Sequence, residues 1–169
     1  MAGQGKKWIK LLIPTTILVL IIYAAVHKEN MVWQRGLPAT GKLIEIWHKS
    51  YEFEYYVSGK RYTGLDNKPF DGLVRGEQYK IRYDSTDVTA IAVDYYTPIY
   101  DTTKFVRTYS KNIKTDFFNK GRVQFSYQVD GNLYKRWQYL PEGKKQIIEG
   151  KAYLIWYNKL NPQMAYLRL

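Results

Sequence analysis

The chain has 169 residues, enough for one ordinary domain or two small ones, and a formal charge of +11 from 26 basic and 15 acidic residues. It contains no Cys, which excludes disulfides, thiolate catalysis, cysteine-based zinc sites and lipoprotein-type acylation. Its 17 Tyr, 5 Trp and 6 Phe suit β-strands, where flat rings pack well on a pleated surface.

Residues 1–7, with Lys6 and Lys7, read as a short cytoplasmic N-terminus. Residues 8–26 form the one strongly apolar stretch, uncharged from Leu11 to Val26, with Trp8 and Tyr23 near its ends. A helix of that length matches the hydrocarbon thickness of a bilayer, so a transmembrane helix is expected there. A cleaved signal peptide is the competing reading, weakened by Tyr23 at the third position before a cut after Ala25. Lys6, Lys7 and Lys10 precede the core, while His27, Lys28 and Glu29 follow it. The positive-inside rule then places a single-pass signal anchor in the inner membrane, with the C-terminal tail extracytoplasmic. Residues 27–40 read as a linker with Gly36 and Pro38 as breakers.

The tail repeats itself. Tyr51 to Tyr62 (YEFEYYVSGKRY) matches Val123 to Tyr134 (VQFSYQVDGNLY) at a spacing of 72. Both alternate apolar and polar residues with the period of a half-buried strand. Both then offer a two-residue hairpin turn, Ser58–Gly59 or Asp130–Gly131. Gly76 to Tyr83 matches Gly150 to Tyr157 at a spacing of 74, and each is followed by a polar turn and a short last strand. The expected fold is mostly β. One N-terminal transmembrane helix precedes two repeated small antiparallel β units, barrel- or sandwich-like, packed together. Residues 41–95 form the first repeat, 96–111 a connector and 112–169 the second. Each unit is too small to be comfortably stable alone.

Tyr55 to Tyr62 and Gly76 to Tyr83 resemble the pattern of a family of uncharacterised bacterial membrane-associated small β domains, a domain of unknown function. That family closes with Tyr-Asp-Pro-x-Asn-Pro-x-x-Ala-x-Leu. Tyr157 to Leu167 (YNKLNPQMAYL) is similar but lacks the first Asp-Pro, and the first repeat lacks the Pro. The resemblance implies a small β fold beside a membrane helix and implies no activity.

The chemistry-bearing residues are sparse. His27 and His48 are the only histidines, 21 residues apart, and make a weak metal or triad signal. Glu52 and Glu54 lie on the polar face of a strand, where the second repeat has Gln124 and Ser126. Asp84 to Asp87 lacks the spacing of a calcium loop. No catalytic residue, cofactor or metal ligand is therefore expected. The candidate interaction residues are Leu154 and Trp156, which replace Lys80 and Arg82 of the first repeat, and Lys135, Arg136, Trp137 and Tyr139, where basic and aromatic residues interleave. The expected function is a membrane-anchored, non-enzymatic extracytoplasmic binding or assembly module of a bacterial envelope. Its expected partners are the lipid bilayer, an envelope or membrane protein, and an anionic lipid or polymer, with nucleic acid ranked last. One alternative is an unrecognised enzyme, or an accessory to one, using the cleft between the repeats. Another is a cytoplasmic-facing binder of nucleic acid or anionic lipid.

Overall fold

A computed structural model describes residues 14, 16–18, 20, 23, 27, 30–48, 50–68, 70–116, 121–141, 143 and 147–168. Among them no helix is long and apolar enough to cross a membrane. This overturns the expected transmembrane helix at 8–26, and with it the signal anchor and the single-pass inner-membrane placement of the tail. Most of 8–26, and all of 1–7, lies outside the described residues. A span needs roughly twenty consecutive apolar residues. The last helical turn, 30–35, carries Asn30, Gln34 and Arg35, and its Val32 is buried. The turn ends at Gly36, whose N–H donates to Val32 O at 2.9 Å and whose carbonyl accepts from Arg82 Nη1 at 2.8 Å.

The described residues are mostly strand. The first sheet holds β1 (Leu37–Trp47), β2 (Ser50–Val57), β3 (Lys60–Asp66), β4 (Gln78–Tyr83) and β5 (Ile91–Ile99). Its order is β3-β2-β1-β4-β5, antiparallel throughout. Three consecutive strands with the fourth returning beside the first is Greek-key connectivity. The long β1 serves two neighbours, pairing with β4 from Leu37 to Lys42 and with β2 from Lys42 to Trp47. A register shift between Leu43 and Glu45 bends it between the two. The free edges then meet, because Leu65 of β3 and Ala90 beside β5 form a parallel bridge. The sheet is thus a small, nearly closed barrel. Gly64 permits that closure: a Cβ there would lie 2.6 Å from Ile91 Cγ2 and 3.0 Å from Thr89 O. Leu43, Phe53, Tyr55, Tyr79, Ile81 and Val93 fill the interior.

The second half follows the same path with one break. A 3-10 turn at Thr102–Lys104 leads into β6 (Phe105–Tyr109), β7 (Asn112–Thr115), β8 (Arg122–Val129), β9 (Asn132–Tyr139), β10 (Leu154–Asn158) and β11 (Ala165–Arg168). β6 pairs with β10 as the first half of β1 pairs with β4. β7 pairs with β8 as the second half of β1 pairs with β2, so Ile113 opposes Phe125 as Leu43 opposes Phe53. Ser110 and Lys111 interrupt what was one strand. The second half therefore makes two three-stranded sheets, β11-β10-β6 and β7-β8-β9, around its own core of Ile113, Val123, Phe125, Tyr127 and Ile155. Strand also extends beyond the expected bounds, to Leu37 at the start of the first unit and through much of the connector.

The two halves share their fine structure. Both hairpin turns have left-handed backbone at both central residues: φ is 49° and 79° at Ser58 and Gly59, and 48° and 82° at Asp130 and Gly131. In the loop before β5, Asp84 and Asp87 accept from the N–H groups of Thr86 and Thr89. In the loop before β11, Asn158 and Asn161 accept from Leu160 and Gln163 in the same way. Asp84 N donates to Ala90 O, and Asn158 N to Met164 O. Each inward tyrosine of the hairpins ties its hydroxyl to the same loop, Tyr55 to Val88 O and Tyr127 to Pro162 O.

Candidate functional site

The second unit is an open version of the first barrel, and the two differ where β3 and β5 of the first correspond to β9 and β11 of the second. Arg136 stands opposite Phe125, as Gly64 stands opposite Phe53. A side chain that long prevents backbone closure, and side chains lace the seam in its place. Arg136 Nε donates to Ala165 O at 2.7 Å, and Gln138 Oε1 accepts from Leu167 N at 2.7 Å. Arg136 Nη1 reaches Gly72 O of the first unit at 2.8 Å, and Nη2 pairs with Glu77. Glu77 is fully buried and also accepts from Tyr79 OH at 2.8 Å, Tyr166 OH at 2.9 Å and Val74 N at 2.8 Å. Burial, reinforced by the Glu77 charge, holds the Tyr79 and Tyr166 phenols well above their usual range. Burial works against the Arg136 cation, but Glu77 and the surrounding tyrosines prevail and raise its pKa. Every polar atom of Glu77 is occupied by the protein itself, so the cluster joins the two barrels and offers a ligand nothing.

The candidate interaction residues fall on different surfaces. Arg136 and Tyr139 are buried. Tyr139 packs edge-on against Phe70 at 4.4 Å between ring centres. Trp137 is half-buried under the Arg122 guanidinium at 4.0 Å, and Lys135 is exposed. Leu154 and Trp156 are half-buried on the other sheet of the second unit, facing away from the core residue Ile155. Arg107 of β6 and Arg168 of β11 lie over the Trp156 ring at 4.8 and 6.0 Å. The Trp156 indole N–H has no hydrogen-bond partner. Neither arginine forms an ion pair with a carboxylate among the described residues.

The other polar residues singled out in the sequence lie in turns and ion pairs. His48 occupies the turn after β1 with φ 48°. Glu54 pairs with Arg61, and Glu45 with Arg75. Among the described residues no group of acidic, histidine or cysteine side chains is arranged to hold a metal. A cleft of about 410 Å³ lies between the units, walled by Tyr96, Tyr100, Gln138, Leu140, Tyr166 and Arg168 among others.

No family model, no curated protein and no solved structure matches this chain. Its function rests on the residues themselves. Sequence reasoning missed Glu77, Arg107 and Arg168. For Glu77 a signal was present: aligning the repeats sets Glu77 against Lys151 and Arg136 against Gly64, two charge changes at positions that face each other across the seam.

Proposed function

We propose that this chain is a non-enzymatic binding or assembly module, with its partner surface on the patch formed by Arg107 and Tyr109 of β6, Leu154 and Trp156 of β10 and Arg168 of β11. One observation carries the reading: Trp156, outward on the central strand, sits between two arginines that have no carboxylate partner among the described residues. A half-buried Trp flanked by arginines combines the two residue types most enriched in binding hot spots. The exposed Tyr109 and the half-buried Leu154 widen the apolar centre, and the arginines rim it with positive charge. An acidic protein surface has the complementary character. Its carboxylates would pair with Arg107 and Arg168 in bidentate fashion.

The test uses the whole chain as bait against an R107E/R168E variant. Both arginines are on the outward face, so the variant should melt as the wild type does. Partners that remain on the wild type and are lost from the variant support the reading, most directly when their contact surface is acidic. Equal retention by both forms, or retention by neither, refutes it.

A further inference from the structure

A second surface of the same unit has been rebuilt relative to its counterpart in the first. On the outer face of the first barrel, Glu45 opposes Glu52 and Lys42 opposes Glu54, with Thr63 across from Glu54 on β3. The corresponding pairs in the second unit are Lys114 with Gln124 and Asn112 with Ser126, and Lys135 lies across from Ser126 on β9. Every carboxylate of the first face is thus replaced by an amide, a hydroxyl or an ammonium group. One sheet design carries three acids and one lysine in one copy, and no acid and two lysines in the other.

These five side chains line one depression of about 110 Å³ on the β7-β8-β9 sheet. None is hydrogen-bonded or ion-paired to another described residue. All five have donor hydrogens: two ammonium groups, two amides and a hydroxyl. Asn112 lies directly across from Ser126 on the neighbouring strand, about 4.8 Å away, and Gln124 lies two residues along from Ser126, about 6.6 Å away on the same face. Lys114 and Lys135 reach in from opposite sides, each on a flexible four-carbon stem. One carboxylate stands close by: Glu149 accepts from Thr115 N at 3.0 Å and Thr115 Oγ1 at 3.1 Å and feels the Lys114 charge. Its own hydrogen bonds tie it to the edge strand.

We infer that this depression is an oxyanion site, taking a phosphoryl or sulfo group. A tetrahedral oxyanion presents only acceptors in every direction, which is the complement of five donors with two positive charges. The inference goes beyond the docking surface at Trp156, because it concerns the other sheet of the unit and a different set of residues.

The experiment is titration of the full chain with inorganic phosphate, inorganic sulfate and a polyphosphate chain, followed by calorimetry and by NMR of the Asn and Gln side-chain amides. The decisive variant, Q124E/S126E, restores the carboxylates that the first barrel tolerates at the same positions, so it is expected to fold. It should weaken binding by at least about tenfold, and K114Q/K135Q should do the same. For polyphosphate, K114Q/K135Q should also flatten the dependence of log affinity on log salt by between about 1 and 2. Binding of monomeric phosphate or sulfate assigns a free oxyanion. Binding of polyphosphate alone assigns a chain of such groups. The inference is overturned if none of the three probes binds, or if Q124E/S126E binds them as the wild type does. It is also overturned if R107E/R168E, which leaves this sheet untouched, abolishes the binding.

Discussion

Replacing Arg136 with Met removes the guanidinium that joins the barrels and leaves a shorter, flexible apolar chain. The Glu77 carboxylate then stays buried with Tyr79, Tyr166 and Val74 N as donors but no counter-ion. The carbonyls of Ala165 and Gly72 lose their donors as well. Breaking a buried ion pair from one side costs about 3–5 kcal/mol. For a chain of this size each kcal/mol moves the melting temperature by about 2–4 °C, so a fall of roughly 6–20 °C is expected. Glu77→Gln alone should also be costly, since it strands the cation. The double variant should fall short of the summed losses by about 1–3 kcal/mol, the signature of a direct interaction. Urea unfolding at neutral pH, followed by tryptophan fluorescence, supplies all four corners of the cycle. In the wild type both barrels should unfold together, whereas R136M should separate the transitions or lower the slope. A loss below about 1 kcal/mol for R136M, or strict additivity in the double variant, would mean that the Glu77–Arg136 pair does not join the two units.

Tyr55→Phe and Tyr127→Phe each remove one hydroxyl bond to the loop before the last strand, so each should cost about 0.5–1.5 kcal/mol by urea unfolding. A large loss at one tyrosine with none at the other would deny the equivalence of the two barrels. Gly64→Ala drives a methyl group into Ile91 and Thr89 O and should cost about 1–3 kcal/mol, while an unchanged midpoint would mean the seam of the first barrel is looser than described. Raising the pH should destabilise the fold. Burial, with the neighbouring Tyr83 and Tyr62, pushes Tyr55 up to about 12, and burial with Glu77 also raises Tyr79 and Tyr166 well above the usual phenol range. The folded chain keeps protons that the unfolded chain releases near pH 10. The stability these groups contribute is therefore complete below pH 10 and lost as pH rises through their folded values. Urea midpoints measured from pH 9 to 11 should fall, and a flat profile would contradict the burial of these phenols.

The parts of the fold legible in the sequence are those governed by neighbours along the chain. The alternation from Tyr51 to Val57 and from Val123 to Val129 reports one buried face directly, and Ser58–Gly59 and Asp130–Gly131 have the residues that a tight hairpin turn requires. The division of the second unit was not legible, because it depends on how Ser110 and Lys111 meet β10 and β8 from opposite sides, and both partners lie well downstream. Tyr134, Arg136 and Gln138 share the inward face of β9, yet a run of alternating basic and aromatic residues looks the same whichever face is inside. Glu77 follows a glycine in a polar loop, so nothing local marks it as the most deeply buried charge. The apolar run of 8–26 made a strong local pattern, but the helix that the structure describes up to Arg35 does not meet the requirements of a span. At Trp156 composition gave the residue and its outward direction, while the two arginines came from strands on either side.

The union of Glu77 and Arg136 also sets a schedule for synthesis. Glu77 leaves the ribosome 59 residues before Arg136 and 89 residues before Tyr166. At about 5–20 residues per second, the first barrel waits roughly 3 to 18 s with a carboxylate in a half-built, increasingly apolar wall. During that interval a water-filled opening is the less costly state, and the barrel has reason to stay loose until its neighbour emerges. A chain stalled or truncated between these positions would hold an unmatched charge where the mature protein is driest. Such fragments should be favoured substrates for chaperones and proteases, so cells would keep the paired barrels and clear the single ones.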